Sequence, residues 1–218
     1  MDARRNRRNT LVKVNLYIEG GGNSNSLRTA CREGFINLFQ KAGFKGRMPK
    51  AIACGSRDDA YDSFKTALRN ADTDTYPILL VDSEEAVSTD AWNHLINRDN
   101  WVKPNNAEDQ QAQLMVQCME TWCIADRKTL RQFFGNELQE SALLPIDNLE
   151  NRDKTQVQDA LVHATRNCGK DRVYKKGKRS FELLGHLDPT VLKDKLLHFK
   201  RLCDTLDKII DTPPAGNR

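Results

Sequence analysis

The sequence predicts an α/β protein: a mostly parallel, four-stranded sheet flanked by helices, with a helical C-terminal extension. Three observations carry this. LVKVNLYI, residues 11–18, alternates apolar and polar residues with the period of a strand. ILLV, residues 78–81, is a continuous apolar run, as expected of a strand buried on both faces. Between them lie two segments with helical spacing around a short strand, so the first 82 residues read strand–helix–strand–helix–strand.

In the first strand Val12, Val14, Leu16 and Ile18 share a face. Ser26 is expected to cap the first helix, whose inward positions are Leu27, Ala30, Phe35, Leu38, Phe39 and Ala42, with Gly43 closing it. Lys50 to Cys54 follow as a strand. Ser56 and Asp59 have capping-box spacing and open a second helix with Ala60, Phe64, Ala67 and Leu68 inward. A further helix is expected over Thr89 to Ile96. The segment QLMVQCMETWCIADRKTLRQFFG reads in two ways. Either Leu114 to Met119 is a fourth strand followed by a helix from Thr121 to Phe134, or the whole segment is one helix.

Beyond Leu144-Pro145 the pattern turns helical. Val157, Ala160, Leu161 and Ala164 recur at helical spacing, and Asp188-Pro189 opens a final helix carrying Leu192, Leu196, Phe199, Leu202, Leu206 and Ile209. The chain thus divides into a basic arm (1–10), an α/β domain (11–138) and a helical extension (139–218).

Composition describes a polar globular protein, 39% hydrophobic and 29% charged. No apolar stretch approaches the roughly 20 residues that span a bilayer, and the basic N-terminus runs into the first strand without a signal-peptide core. A cytoplasmic protein without membrane association is expected. Six cysteines without CxxC spacing read as reduced, buried thiols, and with the four histidines they form no zinc pattern. The net charge is +4, concentrated in an arm (Arg4, Arg5, Arg7, Arg8) and a second cluster (Lys170, Arg172, Lys175, Lys176, Lys178, Arg179). Such clusters meet phosphates but also occur as solvated faces, so charge alone leaves nucleic-acid contact open.

In open α/β sheets ligands gather beyond the carboxyl ends of the strands. Glu19 follows the first predicted strand, Asp82 and Glu84 the third, and Glu120 the fourth. Gathering carboxylates is costly unless a hard divalent cation such as Mg²⁺ offsets their repulsion. The competing explanation is that these acids cap the next helices, as Asp82 could. The stretch GGGNSNS after Glu19 is neither a Walker A loop nor GxGxxG. Its glycines are expected to let the backbone turn tightly beside the acid.

LYIEGG, with Glu19, and ILLVDSEE, with Asp82 and Glu84, resemble the motifs of the Toprim fold of topoisomerases, primases and OLD-type nucleases. LMVQCMETWCIADR, FFG, LLP and YKKGKRSFELLGHLDP are similar to later motifs of small bacterial OLD- and RloB-like proteins encoded beside an ABC-type or AAA-like ATPase in phage defence. The likeness runs from about Leu11 to Pro189. It implies a metal-dependent nuclease, the effector of an anti-phage system, hydrolysing DNA or RNA with Mg²⁺ or Mn²⁺ and controlled by an ATPase partner. Glu19 would be general base or metal ligand, Asp82 and Glu84 the metal-binding pair, Glu120 an additional acid, and Lys176 or Lys178 the late lysine of OLD-type enzymes. Asp126 is explained equally well by a helix surface. Arg4, Arg5, Arg7, Arg8, Lys175, Lys176, Lys178 and Arg179 would hold the phosphate backbone. A homodimer is compatible with the likeness.

The sequence departs from the family's Asp-x-Asp by having Glu84, whose longer arm would move the metal or admit a water. A non-catalytic sensor or interaction subunit with a degenerate site is therefore the alternative. A receiver-like phosphoacceptor ranks last, because it needs an acidic pair after the first strand, where Glu19 is followed by glycines.

Overall fold

A computed structural model describes residues 12–170 and 172–211. The arm with Arg4, Arg5, Arg7 and Arg8 lies outside the described residues. Strands β1 (Lys13–Gly21), β2 (Lys50–Gly55), β3 (Thr75–Asp82) and β4 (Ala112–Met115) form an all-parallel sheet in the order β2-β1-β3-β4. Leu16 pairs with Ile78, Ile18 with Leu80, and Leu79 with Ala112. Because side chains alternate across a sheet, Leu16, Ile18, Ile78 and Leu80 enter one apolar layer, while Leu79, Val81 and Leu114 enter the other. That is why the ILLV run carries no polar position.

The second layer is closed by α2 (Arg57–Asn70) and α3 (Ala91–Asp99), through Phe64, Leu68, Trp92 and Leu95. The first is closed by α1 (Asn25–Phe39), α4 (Met119–Ala125), α5 (Arg127–Phe134), α6 (Lys154–Thr165), α7 (Lys178–His186), α8 (Pro189–Lys195) and α9 (Leu197–Ile210). Residues beyond 139 are thus part of the sheet's own core: Val157, Leu184 and Leu202 share a cluster with Ile18 and Leu80. At Gly34 in α1, an added Cβ would run into the carbonyl oxygen of Phe181 in α7. The two backbones therefore touch, and this contact fixes the loop before α7 over the strand ends.

Several boundaries differ from the sequence expectation, each for a local reason. Ser24, in extended backbone, caps α1 by accepting from the Leu27 amide at 3.1 Å, whereas Ser26 is already helical. The Ser56–Asp59 capping box is present. Asp90 caps α3 through the Asn93 amide at 3.0 Å, so that helix starts at Ala91. The ambiguous segment is a strand followed by helix, but the helix breaks at Asp126. That carboxylate, 1% exposed, accepts from the Thr129 amide at 3.0 Å and the Asp188 amide at 2.8 Å, so it is a buried cap and not a helix surface. The final helix is also divided, at Leu196. Glu150 takes the His198 amide at 2.9 Å that a continuous helix would have bonded internally.

All six cysteines are buried free thiols. Among the described residues, no helix is long and apolar enough to cross a membrane.

Candidate metal centre

From β1 the chain steps to one side, to β2, and then crosses back to β3 on the other side. The reversal lies between the carboxyl ends of β1 and β3, where open α/β sheets bind ligands. Glu19 sits near the carboxyl end of β1, where its register against Gly55 slips, and Asp82 ends β3. Beyond them a cleft of about 240 Å³ opens, lined by both acids, Gly20 to Gly22, Glu120 and Lys176 among others. Gly21 is required here: its φ is +86°, and a Cβ would lie 2.8 Å from the Arg28 Cα.

Glu19, Asp82 and Glu84 converge, each offering a carboxylate oxygen within 4.8 Å of the others, so this group could hold a metal ion. Glu84 reaches the cluster from a left-handed backbone, φ +67°, in a turn held by the Glu84 amide bonding the Gln117 carbonyl at 2.9 Å. Such backbone costs of the order of 1 kcal/mol or more and persists where the surroundings impose it. Glu19 Oε2 accepts from the Asp82 amide and from Arg57 Nη1, each at 3.1 Å. Asp82 Oδ1 accepts from the Met119 amide at 3.0 Å.

Burial sets the electrostatics. Asp82, 8% exposed, is pushed up to about 7 by desolvation and by the Glu19 charge, against the pull of Lys154. Glu19 is raised by desolvation too, with Arg57 and the Asp82 amide acting against it.

Three cations flank these acids, one of them Arg98, whose Nη2 lies 3.7 Å from Glu84 Oε2. Lys154 Nζ lies 3.3 Å from Asp82 Oδ2 and also contacts Glu84 Oε1. Desolvation opposes its charge, but Asp82 and Glu84 hold its pKa above the usual lysine range. Arg57, at the start of α2, bonds Glu19 and the Asp82 carbonyl. Asp99 grips the same guanidinium at 3.0 and 2.7 Å, and it stacks over Trp101 at 4.9 Å. Arg57 is thereby a fixed fork that aims Glu19. A cation bound to all three carboxylates must share Asp82 and Glu84 with Lys154, or displace it.

The remaining predicted residues are distributed unevenly. Glu120 is in the first turn of α4, 2% exposed, and lines the cleft without joining the close group of three. The Tyr174 hydroxyl donates to its Oε1 at 2.8 Å, and Lys176 Nζ lies 3.8 Å from the same oxygen. Lys176, its side chain 54% exposed, stands at the rim of the acid cleft. Lys175 is exposed. Lys178 faces a groove between α1 and α7, and Arg179 a separate cleft against α5.

Sequence reasoning missed Arg57, Lys154 and Tyr174. Arg57 carried a usable signal: it stands two residues beyond the end of β2, where the strand-end rule applies as it does to Glu19 and Asp82. Lys154 carried none, since its partners are 70 and 72 residues away.

Residues 18–207 match the family described as "Domain of unknown function (DUF4276)". No curated protein and no solved structure matches the chain.

Proposed function

We propose that this chain, which belongs to the DUF4276 family, is a divalent-cation-dependent phosphodiester hydrolase acting on nucleic acid. The observation that carries the reading is the meeting of Glu19, Asp82 and Glu84 at the sheet's switch point, beside an open cleft. An all-carboxylate set suits a hard cation, Mg²⁺ or Mn²⁺. Bound there, it would polarise a phosphoryl oxygen or lower the pKa of a water.

The chain's own groups supply the rest. Both bonds to Glu19 fall on Oε2. Its raised pKa suits a base that takes a proton from an attacking water. Arg57 keeps that carboxylate in place, and Lys176, at the rim, is placed to meet a phosphate oxygen. The likeness to OLD- and RloB-type Toprim proteins supports the same chemistry and adds the second part of the proposal, an ATPase partner that controls cutting in phage defence.

One observation favours the alternative, a non-catalytic sensor. Lys154 already neutralises two of the three acids, so a chain that never exchanges this lysine for a cation would bind partners without cutting.

Plasmid DNA, single-stranded DNA and total RNA incubated with Mg²⁺ or Mn²⁺, with and without any ATPase found encoded beside the chain, separate the two. Cutting by the wild type is expected to need metal. In Glu19→Gln it should fall by more than the roughly 10–100-fold cost of losing an outer partner of a metal ligand. Undiminished cutting by Glu19→Gln would remove this site from the reaction. Metal binding without cutting under every condition would favour the sensor.

A further inference from the structure

A second cleft, of about 390 Å³, lies between α5 and α7 on the far side of α7 from the rim at Lys176. Arg172, Arg179, Gln132, Phe133, Glu182 and His186 line it. We propose that this cleft is a phosphate-binding site, and that its ligand is a phosphate monoester held by the two guanidinium groups.

Arg179 is prepared for such a ligand. Its guanidinium lies 4.9 Å over the Phe133 ring and 5.6 Å from that of Phe134, which fixes its plane. Phe133 in turn leans on the His186 ring at 5.5 Å. The buried Nε of Arg179 has no hydrogen-bond partner. The side of the guanidinium open to the cleft is left to its terminal nitrogens, which a phosphate's oxygens can meet in pairs. Arg172 approaches from the loop before α7, its Nη1 3.5 Å from where a Gly135 Cβ would stand.

Both arginines line the same cleft, Arg172 from the loop and Arg179 from the first turn of α7. Among the described residues neither arginine makes an ion pair, although the acid Glu182 lies in the same cleft. Two guanidinium forks without ion-pair partners, one of them held against two rings, match the oxygens of a phosphate, which arginine binds bidentately. Half-buried Phe133 and exposed His186 line the same cleft and offer aromatic surface to a base. This site does not rest on the hydrolase reading, because it shares no residue with the acid cleft.

Binding to the full chain would be measured calorimetrically with inorganic phosphate, AMP, and one oligonucleotide carrying either a 5′-phosphate or a 5′-hydroxyl. The variants are Arg179→Lys, which keeps charge but loses the fork, and Gln132→Glu, which adds an acid at an exposed position without touching the aromatic stack. Each is expected to weaken binding about tenfold or more, while Glu19→Gln leaves it unchanged. The tightest probe identifies the source of the phosphate: free anion, mononucleotide or nucleic-acid end. If no probe binds, or if Gln132→Glu binds as the wild type does, the proposal is overturned.

Discussion

Asp82→Asn is expected to abolish metal-dependent cutting and, in the absence of metal, to make the fold more stable at neutral pH. Both effects come from the same buried carboxylate. Its pKa is about 7 in the folded chain against an ordinary 3.8, so the native state holds a proton that the unfolded chain releases. Stability linked to that proton is fully present below about pH 4 and is lost as pH rises through about 7. Glu19 is shifted in the same direction and steepens the fall. At about 1.4 kcal/mol per pH unit, the displacement of Asp82 bounds the effect at about 4 kcal/mol. Asparagine mimics the protonated acid and still offers an oxygen to the Met119 amide. Denaturant unfolding at pH 5 and pH 8 should therefore show a larger loss in the wild type than in Asp82→Asn. Parallel pH profiles would contradict the assignment.

Lys154→Ala should do the opposite in metal-free buffer. The side chains of Lys154, Asp82 and Glu84 are only 19%, 11% and 22% exposed. Removing the ammonium takes the paired cation from Asp82 and leaves Glu84 with only the more distant Arg98 Nη2, at 3.7 Å. Loss of a buried partner costs about 3–5 kcal/mol and of an exposed one at most about 1. Partial solvent access and protonation of Asp82 place the expected destabilisation between these limits, at about 1–3 kcal/mol. Mg²⁺ or Mn²⁺ should then restore the variant by more than it stabilises the wild type, since the cation no longer competes with an ammonium. Thermal unfolding with and without metal reads this directly. Equal stabilisation of both proteins would mean that Lys154 and the cation do not share a site.

What the sequence made legible was what depends on local pattern. The alternation of β1 and the unbroken apolar run of β3 located the two strands that flank the switch point, and the strand-end rule then named Glu19, Asp82 and Glu84. The grouping of these three needed no knowledge of distant residues. The counter-ions did. Lys154 looks like any lysine opening a helix after Asp153, and its meaning appears only once α6 packs against α4. Asp126 misled for a related reason: it lies inside an apolar periodic segment, and its burial as a cap depends on the amide of Asp188, 62 residues on, as well as on that of Thr129. Glu120 was expected directly after a strand that reached Met119. The strand stops at Met115, and Glu120 enters the cleft from a helix instead.

The most direct test of the metal centre is a calorimetric titration of Mn²⁺ into the wild-type chain and Asp82→Asn at pH 8, where Asp82 is ionised. One binding event in the wild type, weakened in the variant by more than the roughly 10–100-fold cost of losing an outer partner, is the predicted result. No binding by the wild type, or equal binding by both proteins, would contradict it.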